Sequence, residues 1–369
     1  MTASPQRDSQ PSAGDGPSTP EKRPPRHYYV GPYQLIGLIG AGAASRVYLA
    51  QHRWLRHRAA VKIALRGKAS EEAERRARFL REAELMHQLD HPNVVRLYDA
   101  GHQGTVNFLA LEYVAGVDLK RLVETRGPLP ARQAANIVRQ AAAGLAYLHR
   151  QGLYHRDVKP ANIQIGAQNV AKLLDLGTAC SIRDCVPGRR PSESDMVGTI
   201  DFMAPEQALN VFEIDGRSDI YSLGCTLYFA LTGRAPFPDG PSTRRLFQHQ
   251  MEEPAALAEL RPGLSLDLIA ICQRMMAKKP ADRFATMSSV RQALVDWLAQ
   301  PSKVVVSPEP DSCVLAEPTT VAALGASTSN ILAEVARERT TSPVPSIDDV
   351  QFHRIPAAES LQAAPITAK

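Results

Sequence analysis

The chain has 369 residues, of which 44% are hydrophobic and 22% charged, enough for one large domain or two around a packed core. Its formal net charge of +5 is uneven: residues 1–27 hold four Lys/Arg against three Asp/Glu (+1), residues 301–369 hold five against eight (−3), and the middle therefore carries +7. That excess suits an anionic ligand such as a nucleotide, or an acidic partner; no long Lys/Arg run with interleaved aromatics points to nucleic acid.

The two ends read as tails. Residues 1–27 and 301–369 contain 6 and 8 of the 28 prolines and are rich in Ser and Gly, or in Ser, Thr and Ala. Such composition buries too little apolar surface to offset the entropy of ordering, so both are expected to be disordered. The start, MTASPQRDSQ, has no apolar stretch of a secretory signal. No segment reaches the roughly 18 uninterrupted apolar residues of a membrane helix, and a soluble, cytoplasmic protein is expected. The five cysteines, Cys180, Cys185, Cys225, Cys272 and Cys313, are scattered and lack a C-x-x-C pair, which favours free thiols in a reducing compartment.

Between the tails, 33–40, 46–52 and 58–65 read as short strands, the last alternating around Lys62. Residues 70–89 read as a helix with Phe79, Leu80, Ala83 and Met86 at helical spacing. "NVVRLYDAG" (93–101) and "VNFLALEYV" (106–114) read as two more strands. After Gly116 the pattern turns helical, most clearly over 131–150, 217–232 and 284–299. A strand-rich part followed by a larger helical part predicts two lobes with a cleft between them.

Four stretches carry chemistry. In "IGAGAASRV" (39–47), Gly40 and Gly42 follow Ile39 and would let backbone N–H groups approach a polyphosphate; a hairpin needing glycine would look the same, and Ser45 stands where a third glycine would be expected. In "AAVKI", Lys62 is a charge in mid-strand that needs an anionic partner, which Glu82 in "FLREAEL" could supply, unless the lysine merely snorkels to the surface. In "KLLDLGTAC", Asp175 ends an apolar run before Gly177; a carboxylate there suits Mg²⁺, but taken alone the stretch reads better as an ordinary Asp-x-Gly turn. Finally, "YHRDVKPANI" (154–163) packs His155, Arg156, Asp157, Lys159 and Asn162 within eight positions, pinned by Pro160, far more polarity than a turn requires.

The order of these stretches, continued by "GTIDFMAPEQ" (198–207), "SDIYSLG" (218–224) and "KKPADRF" (278–284), resembles the eukaryotic-type (Hanks-type) serine/threonine protein kinases over residues 33–298. "RFLREAELMHQLDHPNVVRLYDAG" is most similar to the bacterial members. The resemblance implies an α+β fold: a small antiparallel sheet lobe with one main helix (28–113) and a larger, mainly helical lobe (114–300). It implies ATP with Mg²⁺, or Mn²⁺ in its place, protein substrates, no membrane insertion, and a homodimer as a route to autophosphorylation in trans.

Residue by residue, the resemblance implies that Asp157 accepts the hydrogen bond of a substrate hydroxyl and that Lys159 lies beside the γ-phosphate. Asn162 and Asp175 would bind metal. Lys62 would contact the α- and β-phosphates and pair with Glu82. The Glu112 carbonyl and Val114 amide would bind adenine beneath a roof of Val47 and Ala60, with Leu111 as gatekeeper and Asp118 near the ribose. His155 would be stacked internally and Arg156 would hold a phosphorylated activation loop within 176–205, which contains Ser181, Ser192 and Ser194. Glu206 and Arg283 would pair to anchor that loop, and Asp219 would brace the catalytic loop. Lys159 and Thr199 favour serine/threonine over tyrosine specificity.

Ser45, Leu176 and above all Gln164 depart from the family pattern. Gln164 stands where an apolar residue usually floors the adenine site, so its amide must find a partner, and a mild loss of ATP affinity is expected. Two competing readings are a nucleotide-binding pseudokinase scaffold, which Gln164 and Ser45 favour, and a small-molecule kinase of the aminoglycoside type, which Lys159 and the Ala-Pro-Glu run at 204–206 disfavour.

Overall fold

The computed structural model describes residues 28–42, 45–65, 72–176, 180–181, 200–208 and 214–301. Both predicted tails (Pro301 apart), Thr199 and most of the loop 176–205 lie outside the described residues.

The first half is one antiparallel sheet of β1 (Tyr28–Val30), β2 (Tyr33–Ala41), β3 (Ser45–His52), β4 (Arg58–Ala64), β5 (Leu97–Gln103) and β6 (Val106–Glu112), in the order β1-β2-β3-β4-β6-β5. Alternation along β4 decides its two faces. Ala59, Val61 and Ile63 are fully buried in the small lobe's core with Tyr48, Ala50 and Phe108. Ala60 and Lys62 consequently point the other way. Their cross-strand partners are Leu49 and Val47 on β3, and Leu111 and Leu109 on β6, which gather one apolar surface around a single ammonium. Helix α1 (Glu72–His87) packs against β5 and β6 and brings Glu82 to that surface.

The predicted strand 93–101 begins at Leu97 instead of Asn93. Residues 93–95 are tied to the other lobe: Asn93 Nδ2 donates to Ala171 O (2.8 Å), Leu173 N to Asn93 O (2.9 Å), and Val95 N to Leu173 O (3.0 Å). Those backbone groups are satisfied across the lobes, so they cannot also serve the sheet ladder.

The second half begins with β7 (Val117–Asp118), α2 (Leu119–Arg126), α3 (Ala131–Arg150), β8 (Leu153–Tyr154), β9 (Ile163–Ile165) and β10 (Ala171–Leu173). The two-residue strand β11 (Cys180–Ser181) pairs antiparallel with β8. Then follow α4 (Pro205–Ala208), α5 (Gly216–Thr232), α6 (Ser242–Met251), α7 (Leu257–Leu260), α8 (Leu266–Met275) and α9 (Met287–Ala299). Helix α5 is buried from Ser218 to Leu231 and, with α3, forms the centre of the larger core. Asp118 caps α2 by accepting from Arg121 N (2.8 Å), and Thr286 caps α9, which therefore starts at Met287 instead of 284. Residues 28–112 are strand-rich and 117–299 mainly helical, so the architecture is the expected α+β, two-lobed one. Among the described residues no helix is long and apolar enough to cross a membrane.

Cys225 and Cys272 are free and buried; burial pushes both thiols up, Cys272 to about 12, so both are inert packing groups.

A polar cluster lies beneath the 3₁₀ turn Ile200–Phe202. His249 on α6 is fully buried against Phe237, and its Nδ1 meets the Tyr221 hydroxyl (2.9 Å). Lys278 Nζ donates to the His249 carbonyl (3.1 Å), while Arg245 pairs with Asp201. Burial, with Lys278 and Arg245 nearby, lowers the His249 pKa to about 4. Between an unfolded pKa of about 6.5 and that value the unfolded chain binds the proton that the folded one refuses, so stability falls as pH drops. The expected loss from this group is about 2–3 kcal/mol between pH 7 and pH 4.5. Urea unfolding at the two pH values should show that slope in the wild type and not in His249→Gln; equal slopes would contradict it.

Candidate active site

Lys62 sits at the centre of the cleft between the lobes. Its Nζ meets Glu82 Oε1 at 2.7 Å and Asp175 Oδ1 at 2.8 Å. Burial works against the ammonium, but Asp175 and Glu82 together outweigh it and hold the Lys62 pKa above its ordinary value. Glu82 has one cation and a second carboxylate as neighbours; its desolvation, reinforced by Asp175, exceeds the pull of Lys62 and raises its pKa. Asp175 lies in the left-handed region (φ 56°), which Asp tolerates better than most residues. That turn sends Asp175 toward Lys62 while Leu176 drops into the large lobe's core.

The catalytic-loop stretch 154–163 runs from β8 through a 3₁₀ turn at Pro160–Asn162 into β9, and Pro160 presets that turn. Three of its polar side chains, those of Asp157, Lys159 and Asn162, bond to one another. Asp157 Oδ2 accepts from Lys159 Nζ (2.6 Å) and Asn162 Nδ2 (3.0 Å), and Asn162 Nδ2 also donates to the Asp157 carbonyl (2.8 Å). Asp157 Oδ1 is buried and has no hydrogen-bond partner. One oxygen is thus fully engaged and the other is left for a donor from outside, in a place where an unsatisfied acceptor is costly. The two acceptors on Nδ2 also fix the Asn162 amide so that its carbonyl oxygen faces away from Asp157. That oxygen and the Asp175 carboxylate form a hard-oxygen donor set of the kind Mg²⁺ prefers.

Asp219 on α5 holds the loop from below. It is fully buried and accepts from His155 N (2.9 Å), Arg156 N (2.8 Å) and His149 Nε2 (2.8 Å). Burial alone would raise its pKa; the bonds from His149 and His155 outweigh that and keep it low. His155 is itself buried, with Nδ1 accepting from Asp157 N (3.3 Å), which leaves Nε2 as the donor to Leu174 O (3.1 Å). Arg156 is half-buried with a left-handed backbone (φ 65°), and Gln207 Nε2 donates to its carbonyl (2.9 Å). Glu206 and Arg283 form two parallel bonds (2.7 and 2.9 Å), and Ser218 Oγ donates to Glu206 Oε1 (2.6 Å). Burial opposes the Glu206 charge, but Arg283 more than compensates and lowers its pKa.

On the cleft's upper wall, Gly40 pairs with Val47, and Gly42 N donates to Ser45 O (2.9 Å). Ile39 lies on β2, one position before Gly40. Ala60 pairs with Leu111, the residue before Glu112. On the lower wall, the Gln164 amide does find a partner: Nε2 donates to Val114 O (3.2 Å), and the side chain is only 8% exposed. The hinge, residues 113–116 that link β6 to β7 between the lobes, lies hard against β9, since a Cβ on Gly116 would sit 1.9 Å from Ile165 O.

The structure thus brings Lys62, Glu82, Asp157, Lys159, Asn162 and Asp175 to one cleft and places Asp219, Glu206 and Arg283 behind it. Sequence reasoning missed His149, Gln207 and Lys172. Lys172 pairs with the Glu112 side chain at 2.9 Å. Its only signal was an unexplained lysine at the solvent-side position of the strand Ala171–Leu173.

A protein kinase domain family model matches residues 33–295, and the chain belongs to that family. Among curated proteins it is similar to the serine/threonine-protein kinase PknB of Mycobacterium leprae, 38% identical over 267 residues covering 71% of this chain and 42% of the relative. PknB of Mycobacterium tuberculosis (strain H37Rv) is likewise 38% identical over 268 residues, with the same coverage. The probable PknB of Bifidobacterium longum is 35% identical over 277 residues, covering 73% of this chain and 40% of that protein. The chain therefore spans less than half the length of these relatives.

Proposed function

We propose that this chain is a serine/threonine protein kinase that transfers the γ-phosphate of ATP to protein hydroxyls and phosphorylates its own loop within 176–205. The observation that carries this reading is Asp157, with Oδ2 held by Lys159 and Asn162 and Oδ1 buried without a partner. Phosphoryl transfer asks the protein mainly for positioning and charge. Asp157 Oδ1 would take the hydrogen bond of the incoming Ser or Thr hydroxyl and then its proton. Lys159, beside it, would offset charge on the transferring group. Lys62, fixed by Glu82, would bind the α- and β-phosphates, and the hinge edge of Glu112 and Val114 would read adenine under Val47 and Ala60.

The family's ATP and divalent metal fit the donor set here. Asn162 and Asp175 would hold Mg²⁺, with Mn²⁺ as a substitute; the ion would neutralise phosphate charge. Residues 28–113 and 114–300 would be the two lobes, Ile39, Gly40, Gly42 and Ser45 would lie over the phosphates, and Asp118 would lie near the ribose. Half-buried Arg156 would engage a phosphorylated loop residue, and Thr199 would engage the catalytic loop. A cytoplasmic setting and a transient homodimer for phosphorylation in trans belong to the same proposal.

Incubation with MgATP and a generic basic protein, followed by phosphoamino-acid analysis, tests this reading. Phosphoserine and phosphothreonine from the wild type, absent with Lys62→Met, are expected. Tyrosine phosphate alone, or ATP binding without transfer, would overturn it, the latter in favour of the scaffold.

A further inference from the structure

The small sheet of order β10-β9-β7 sets three polar residues on one rung: Lys172 opposite Gln164, and Gln164 opposite Asp118. Asp118 is occupied as the cap of α2. The other two both reach the hinge. Lys172 Nζ meets Glu112 Oε2 (2.9 Å), and Gln164 Nε2 donates to the Val114 carbonyl (3.2 Å). Glu112 is held from the other side too, its N–H on Arg96 O (2.8 Å) and its carboxylate accepting from Arg96 N (3.3 Å). Two residues of one large-lobe rung thus grip the hinge on both sides of Tyr113.

We propose that Lys172 and Gln164 are positioning residues that fix the base-reading edge of the hinge and so set nucleotide affinity and base selectivity. The proposal rests on the reading that the Glu112 carbonyl and Val114 amide bind adenine. Two backbone groups two residues apart read a planar base only if their spacing and tilt are held before it arrives, because any freedom left in them is lost on binding. The Lys172–Glu112 pair is suited to hold them. Its side chains are 16% and 24% exposed, so it is screened less than a surface pair. Gln164 spends an Nε2 donor on the hinge carbonyl itself, so that donor is not left unpaired beneath a base. Close packing leaves the hinge little room to settle elsewhere: a Cβ on Gly166 would lie 3.0 Å from Val114 Cγ1.

The two views of Gln164 predict opposite signs. If it is only a poor floor, Gln164→Leu tightens ATP binding; as a brace, the same change loosens it. Steady-state kinetics with MgATP and with purine riboside triphosphate, which lacks the 6-amino donor for Glu112 O, separate them for wild type, Lys172→Met, Gln164→Leu, the double variant and Lys172→Arg. One hydrogen bond should give the wild type a roughly tenfold preference for ATP. In the double variant KM for ATP should rise about five- to tenfold with kcat within about twofold, and the preference should shrink to about two- to threefold. Lys172→Arg should keep the wild-type preference, because Arg can still pair with Glu112. Calorimetric binding of the same two nucleotides gives the same ratios where transfer is slow. A lower KM in Gln164→Leu, or an undiminished preference in the double variant, would overturn the brace. No preference in the wild type would overturn the adenine-hinge reading itself and the brace with it.

Discussion

Asp157→Ala is expected to slow phosphoryl transfer by about 10²–10⁴-fold, or roughly 3–5 kcal/mol of barrier, with little change in ATP affinity. The size follows from what the residue holds. Removing the carboxylate deletes the buried, unpartnered Oδ1 proposed for the substrate hydroxyl. It also removes one bond each from Lys159 and Asn162, which converge on Oδ2 at 2.6 and 3.0 Å. Single-turnover kinetics separate this from a folding defect, because the loop keeps its other supports: Asp219 still accepts from His155 N and Arg156 N. A variant within threefold of wild type would remove Asp157 from the chemistry.

Arg283→Met is expected to cost roughly 3–5 kcal/mol of stability, the usual penalty for stripping the partner from a buried charge. Arg283 uses every donor: two bonds to Glu206 and one each to Ala277 O, Arg217 O and Lys278 O, with its plane over Tyr221 at 4.9 Å. Its loss leaves Glu206 with Ser218 as a neutral partner and several carbonyls unsatisfied. The double change Glu206→Met with Arg283→Met should recover part of the loss, since no lone charge then remains. Urea midpoints measure both. A single variant less than about 1 kcal/mol below wild type would mean the pair is effectively solvated.

What was legible in the sequence was what lies close in the chain. Five polar residues in eight positions at 155–162 revealed the catalytic loop because its hydrogen bonds join residues two to five apart. Lys62 and Glu82, twenty apart, were legible as a strand lysine that needs an acid. The elements on either side followed from apolar period. Contacts such as His149 to Asp219, seventy apart, and Lys172 to Glu112, sixty apart, carry no local pattern; only the fold brings them together. The same holds for the start of β5, where apolar Val94 and Val95 look like strand but pack beneath the other lobe. The partner of Gln164, Val114 O, is fifty residues away and was equally invisible in the sequence.

The most direct measurement is intact mass of the wild type and of Asp157→Ala after incubation with ATP and Mg²⁺. An active kinase predicts mass added in whole phosphate steps on the wild type alone, with peptide mapping placing it within 176–205. Unchanged mass in both proteins, with nucleotide binding intact, would contradict it.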